Sequence, residues 1–347
     1  MHSGLYPVAP RNPFLVACAA DRESVFRRFI AVLSAVAVLI TVAAVPVSAA
    51  TTPCRPGAGS PSCLVWTGRV TVVADGDTPF VDVYGDGTST PTRIRLIGVQ
   101  AMEQTVYHPD PTKRRGECHA LAATARLEQL VKAGGGVIRM TAQHAASTSR
   151  GRPLRSIAVR INGRWHDVGL DLIRNGYALW LPIPDEWAWN PAYRLAAQQA
   201  ARAGKRMYDT DTCGAGPNQS ARVGLQVNYD AEGDDSVNVN GEWMRVVNNS
   251  SVSLPLAGWW VRDSGLRRYT FPAGTVAPAR GSIYVHVGKG RATATDKYWG
   301  QSAPLFANPT FDERAIGDGG YLFDPRGDLR AWMLYPCVTT CAIGLTV

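Results

Sequence analysis

The chain carries none of the short signatures that assign a function at a glance. No C-x-x-C pair occurs and the 6 histidines are scattered, which leaves a structural zinc site without a ligand set. No G-x-S-x-G is present, so a serine hydrolase has no nucleophile. The Gly-Lys-Gly stretch at residues 288–290 lacks the spacing of a phosphate-binding loop. Beyond residue 222 no segment has helical periodicity, which excludes a helical second half.

What is present begins with a leader. "FRRFIAVLSAVAVLITVAAVPVSAA" sets two arginines before an apolar run and ends in small residues, the layout of a secretory signal peptide over residues 1–50. An uncleaved membrane anchor is the competing reading, since Phe29 to Val47 nearly suffices to span a bilayer. Export agrees with the cysteines: Cys54, Cys63, Cys118, Cys213, Cys337 and Cys341 lie beyond the leader, an even set suited to an oxidising compartment. The simplest connectivity closes two short loops, Cys54–Cys63 and Cys337–Cys341, and leaves Cys118 for Cys213. Charge is uneven: residues 66–212 hold 19 Lys/Arg against 14 Asp/Glu, and residues 223–337 hold 11 against 12. A basic first half suits a polyanionic partner.

After a Pro/Gly/Ser linker at residues 51–65, alternating apolar residues predict strands, with turns at Asp75-Gly76 and Gly85-Asp86-Gly87. Ala and Leu at helical spacing predict a helix over Glu117–Ala133, closed by three glycines. Two more strands follow, the second folding back at Asn162-Gly163 in a type I′ turn, and then helices over 169–179 and 191–205. This order reads as a small closed sheet with helices packed on it, an α+β domain over 66–212. Residues 213–222 read as a linker and 338–347 as a tail. Between them, short strands separated by Gly/Pro/Asn-rich turns over 223–337 read as an all-β sandwich, its tryptophans serving as core.

The turn Asp75-Gly76-Asp77 asks for a positive complement, because two carboxylates one residue apart repel each other. Downstream lie "RIRLIGVQAMEQ", with Arg95, Gln100 and Glu103, and "TSRGRPLRS", with Arg150, Arg152 and Arg155. A carboxylate to hold a hard divalent cation, a glutamate to take a proton from water and guanidiniums to grip phosphate oxygens are the parts of a phosphodiesterase.

Strand-D-G-D-T, R-x-R-L-x-G-V-x-A-x-E, G-R-x-L-R and "LIRNGYA", in that order, resemble the staphylococcal nuclease (thermonuclease) family over residues 66–210. The resemblance implies a five-stranded OB-fold barrel with three helices and calcium-dependent cleavage of DNA and RNA, with water as nucleophile. Carried over by position, Asp77 falls on the first calcium aspartate, Arg95 and Arg152 on the phosphate-binding arginines, and Glu103 on the general base. The chain departs from the pattern at Gln100, where a second calcium aspartate is expected, at Ala101-Met102 in place of Thr-Pro, and at Arg150 in place of a tyrosine. A neutral Gln100 ligand lowers the charge around the metal, and Ca2+ affinity falls with it. Arg155 competes with Arg152 for the second phosphate position. The readings left open are a nuclease with a retuned Ca2+ site and a degenerate one that binds nucleic acid without cutting. Lys113-Arg114-Arg115 would extend the positive surface toward substrate.

Residues 223–337 resemble a lamin-tail, immunoglobulin-like domain through N-G-E-W, G-W-W-V-R-D and the F-P-x-G-T turn. That likeness implies a binding or anchoring module for a cell surface, nucleic acid or another protein, with no catalytic residues. Asp230, Glu232, Asp234 and Asp235 form an acidic loop that is either a calcium site or simply solvated. Asn249-Ser250-Ser251 fits a glycan acceptor. A secreted monomer acting on nucleic acid is the expectation.

Overall fold

The computed structural model describes residues 50–57, 59–104, 117–214 and 221–337. The expected signal peptide, Lys113-Arg114-Arg115 and Cys341 lie outside the described residues. The described residues fall within one compact unit. No described helix is long and apolar enough to cross a membrane.

The first half is built on a curled sheet. Its strands are β1 (Ser62–Asp75), β2 (Thr78–Val83), β3 (Arg95–Leu96), β4 (Val99–Ala101), β5 (Val137–Ala142), β6 (Arg152–Ile161), β7 (Arg164–Asp167) and β8 (Ala178–Trp180). The path runs β7-β6-β5-β1-β2, and Thr92–Arg93 pairs on the far edge of β2. Two residues later the same segment pairs with the opposite side of the sheet, where Arg95 in β3 lies parallel to Leu154 in β6. That handover, with register shifts between Val70 and Val72 and between Val73 and Asp75, curls the sheet into a half-barrel compatible with an OB-like fold.

Three helices, α1 (Ala120–Ala133), α2 (Val168–Arg174) and α3 (Asn190–Arg202), cover it. α1 starts three residues later than its periodicity predicts, because Cys118 is held in a disulfide with Cys213 and His119 adopts a left-handed φ of 72°. The helix expected over 169–179 ends at Arg174. Gly176 turns the chain with φ 69°, and Ala178–Trp180 becomes β8, antiparallel to β4. Periodicity misses this because a buried three-residue strand looks like the last turn of an apolar helix. The Asn162-Gly163 turn has positive φ at both residues, 49° and 76°, as its sequence predicts.

The second half is a sandwich of two four-stranded sheets. One holds β9 (Val223–Asn228), β10 (Trp243–Asn248), β13 (Ser282–His286) and β14 (Asp296–Tyr298). The other holds β12 (Arg268–Thr270), β11 (Trp260–Arg262), β15 (Asp318–Phe323) and β16 (Leu329–Tyr335). Every residue of β15 is buried, so this sheet meets apolar surface on both faces. Leu322 and Ala331 face the sandwich interior. Trp260, Tyr321, Phe323, Leu329, Trp332 and Leu334 join the core of the first half. Tyr208 meets Trp332 edge to face, with ring centroids 5.2 Å apart. Of the sandwich tryptophans, Trp259, Trp260 and Trp332 are buried. Trp243 is half-buried and packs edge to face on Tyr284, with centroids 5.2 Å apart.

Both expected long-range and local cross-links within the described residues are formed, Cys54–Cys63 and Cys118–Cys213. Cys213 also donates its backbone N–H to Asp328 of the sandwich at 2.7 Å, so this disulfide sits where the two halves meet.

Candidate functional site

The sheet curl gathers Asp75, Asp77, Arg93, Arg95, Gln100, Glu103, Arg150 and Arg152 around one cleft of about 240 Å³. Asp75 ends β1 and Asp77 precedes β2, on a turn whose glycine has no substitute: a Cβ on Gly76 would lie 2.6 Å from the Ala123 Cβ of α1. Arg95 comes from β3, Gln100 from β4, Glu103 from the segment after β4, and Arg152 opens β6.

Asp77 is buried and fully engaged. Its Oδ1 accepts the Thr78 hydroxyl at 2.8 Å. Its Oδ2 accepts the Ala101 backbone N–H at 2.9 Å and pairs with Arg95 Nη1 at 2.9 Å. Asp75 accepts the Asp77 backbone N–H at 3.1 Å. Burial and the neighbouring Asp77 charge push the Asp75 carboxyl up to about 7. A carboxyl raised in this way is one that a cation would return to its charged form. Asp75 and Asp77 are the hard oxygen donors that a divalent ion takes, and such an ion would have to share Asp77 with Thr78, Ala101 and Arg95.

Gln100 does not point its oxygen at that pair of carboxylates. Its Oε1 accepts from Arg95 Nη2 at 2.7 Å, while its Nε2 donates to Ala101 O at 3.0 Å and to Glu103 Oε1 at 3.3 Å. The amide thus bridges the arginine and the glutamate, a task an aspartate could not perform because it has no donor. Burial, then the Asp77 and Glu117 charges, raise the Glu103 carboxyl above its ordinary range. The Glu103 backbone N–H is anchored by Glu117 Oε2 at 3.1 Å.

Arg152 lines the cleft and reaches Thr78 Oγ1 at 3.3 Å. Burial and the charges of Arg95 and Arg93 hold its guanidinium below its ordinary range, so an anion in the cleft would relieve repulsion among three arginines. Arg155 is elsewhere: buried, it donates to the carbonyls of Leu154 at 2.6 Å and Ala145 at 2.9 Å and lies over the Trp66 ring at 4.1 Å. All five site residues expected from sequence, Asp77, Arg95, Gln100, Glu103 and Arg152, are brought together. Arg93 was legible as the first arginine of R-x-R. Glu117 and Leu266, which also faces the cleft, carried no sequence signal, because their relation to Glu103 exists only in the folded chain.

Elsewhere, two carboxylates of the acidic loop have partners. Asp235 accepts from the Ala231 backbone and from Asn308, both at 2.8 Å, and Asp234 accepts from Ser236. Cys118, His119 and Cys213 cluster closely, but both sulfurs are consumed in the disulfide. Burial drives His119 down to about 4.

No curated protein matches the chain. The Lamin Tail Domain family model matches residues 218–336, the segment that forms the sandwich and carries Leu266 into the cleft.

Proposed function

We propose that the chain is a secreted nuclease that hydrolyses phosphodiester bonds of DNA and RNA. The observation that carries this reading is the convergence of Glu103, Arg95, Arg152 and the Asp75/Asp77 pair on one cleft. The nuclease and OB-fold assignments rest on the motif resemblance over 66–210 together with that convergence.

Asp77, with Asp75 beside it, would hold a divalent cation, calcium by resemblance, which supplies charge neutralisation at the scissile phosphate when bound. The chain's own groups do the rest. Glu103, raised by its surroundings, is suited to accept a proton from a water molecule. That water's oxygen bonds to phosphorus as its proton passes to Glu103, the bond to the leaving sugar oxygen breaks, and that oxygen takes a proton from solvent to leave as a hydroxyl. Arg152 and Arg95 stabilise the charge that builds on the phosphoryl oxygens. The Gln100 amide keeps Glu103 and Arg95 in fixed relation. Disulfides Cys54–Cys63 and Cys118–Cys213 accord with action outside the cytoplasm.

A second reading is a degenerate relative that binds nucleic acid without cutting. It is favoured by Arg95, whose guanidinium is already engaged by Asp77, Val99 O at 2.7 Å and Gln100. Cleavage of single-stranded DNA by the full chain across a calcium titration, beside Glu103→Gln, separates them. Cleavage that saturates with calcium and collapses in the variant is the nuclease. Retention of intact DNA at every calcium concentration, with parent and variant alike, is the binder.

A further inference from the structure

The lamin-tail segment contributes to the cleft. The loop between β11 and β12 leaves the sandwich at Asp263 and returns at Arg268, and at its tip Leu266 lines the cleft with Asp75, Asp77, Glu103 and Arg152. Leu266 is 37% exposed, an apolar side chain facing a wall of charged groups, where it gains little by burial.

Both ends of this loop are tied to the neighbourhood of Glu103. At its start the buried Arg262 donates to the carbonyls of Asp263 at 3.0 Å and of Gly265, which curls the loop around its guanidinium. The same guanidinium touches Sδ of Met102, the residue before Glu103, at 3.7 Å. At its end Arg268 pairs with Glu117 Oε1 at 3.5 Å, and the other oxygen of Glu117 holds the Glu103 backbone N–H. Arg268 also lies over the Trp260 ring at 5.0 Å, which fixes it against the sandwich. A loop held at two points beside the proton acceptor has a defined position relative to the scissile phosphate.

We propose that loop 263–268 is the substrate wall of the cleft, and that Leu266 is a specificity-determining contact for an unstacked base next to the scissile phosphate, with Arg262 and Arg268 positioning it. This rests on the nuclease reading for the phosphate's location. The rest of the cleft lining supplies arginines for the backbone, Arg93, Arg95, Arg150 and Arg152, and Leu266 supplies an apolar surface against which an unstacked base face can rest. In a duplex the base faces are stacked on one another and closed to such a contact, so the wall selects single strands.

The test uses the full chain in a Glu103→Gln background, so that binding is read without cleavage. Dissociation constants for a single-stranded 12-mer, the same 12-mer as duplex, and an abasic sugar-phosphate 12-mer are measured by fluorescence anisotropy, with and without Leu266→Ala. The expected result is a fivefold or greater weakening on the single strand, and a parent-to-variant ratio near one on the duplex and abasic strands. Leu266→Met is expected to restore single-strand affinity. Equal affinities of parent and Leu266→Ala on the single strand overturn the proposal, as does equal weakening on the abasic strand, or a Leu266→Met as weak as the alanine variant. If the chain without Glu103→Gln binds DNA but never cleaves it, the catalytic reading fails while these ratios still decide the role of Leu266. Absence of any DNA binding overturns both.

Discussion

Arg95 Nη1 lies 2.9 Å from Asp77 Oδ2, and both side chains are buried. The phosphate-binding arginine and the metal-binding aspartate of the proposed mechanism are thus direct partners. Asp77→Asn leaves the Arg95 charge without its counterion, which is expected to cost about 3 kcal/mol of folding stability. It also lowers cleavage by on the order of a hundredfold or more. Urea denaturation beside initial rates checks both; an unchanged midpoint would show that the ion pair contributes nothing.

Gln100→Asp restores a carboxylate beside Asp75 and Asp77 and removes the amide donor to Glu103. Half-maximal activation is expected at roughly tenfold lower calcium, equivalent to about 1.4 kcal/mol of added metal affinity, while the maximal rate falls because Glu103 loses its bridge. A calcium titration of initial rate reads both quantities. A midpoint that does not move would place Gln100 outside the metal's surroundings.

Arg152 and Arg155 separate cleanly by measurement. Arg152→Ala is expected to lower kcat by about two to three orders of magnitude with little change in Tm. Arg155→Ala leaves buried backbone carbonyls without their donor and is expected to cost about 1–3 kcal/mol of stability. The opposite pattern would assign the phosphate to Arg155.

Asp318 sits against Asp263 under loop 263–268 and accepts the backbone N–H groups of Ser264 at 3.2 Å and Gly319 at 2.7 Å. Burial and the Asp263 charge push its carboxyl up to about 7. Between its ordinary value and 7 the folded chain holds a proton that the unfolded chain has lost, so stability falls as pH rises through that window, by up to about 4 kcal/mol. Asp318→Asn keeps that site neutral at every pH and is expected to remove its share of the decline, leaving the part that Asp75 and Glu242, also raised to about 7, contribute in the same window. Urea midpoints at pH 5 and pH 8 decide it: an equal decline in parent and variant would assign the effect to other groups.

The Cys118–Cys213 bridge closes a segment with a sequence separation of 95. Replacing both cysteines by serine is expected to cost about 4 kcal/mol, chiefly through the freed unfolded chain. Comparison of guanidinium midpoints with the parent measures this, and a loss below about 1 kcal/mol would mean that the shared core already fixes the two halves.

What was legible in the sequence was local. The turn residues of Asp75-Gly76-Asp77 and Asn162-Gly163, the alternation of β1 and β6, and the helical spacing of α1 are each written within a few residues, because backbone preference and side-chain period act over that range. The order of the motifs named Asp77, Arg95, Gln100, Glu103 and Arg152, and the structure places them around one cleft. Gln100's identity was plain, but not the direction of its amide, which is decided by Arg95 and Glu103 arriving on different elements. The strand at Ala178–Trp180 was hidden because its partner, Val99–Ala101, lies far away in the chain. Only the tertiary structure set Leu266 of the lamin-tail segment in the cleft with Glu103, more than 150 residues earlier, and paired Arg268 with Glu117. Which surface meets which is decided by the burial of whole faces, here the two-sided sheet of β15 and β16, and no short window of sequence contains that information.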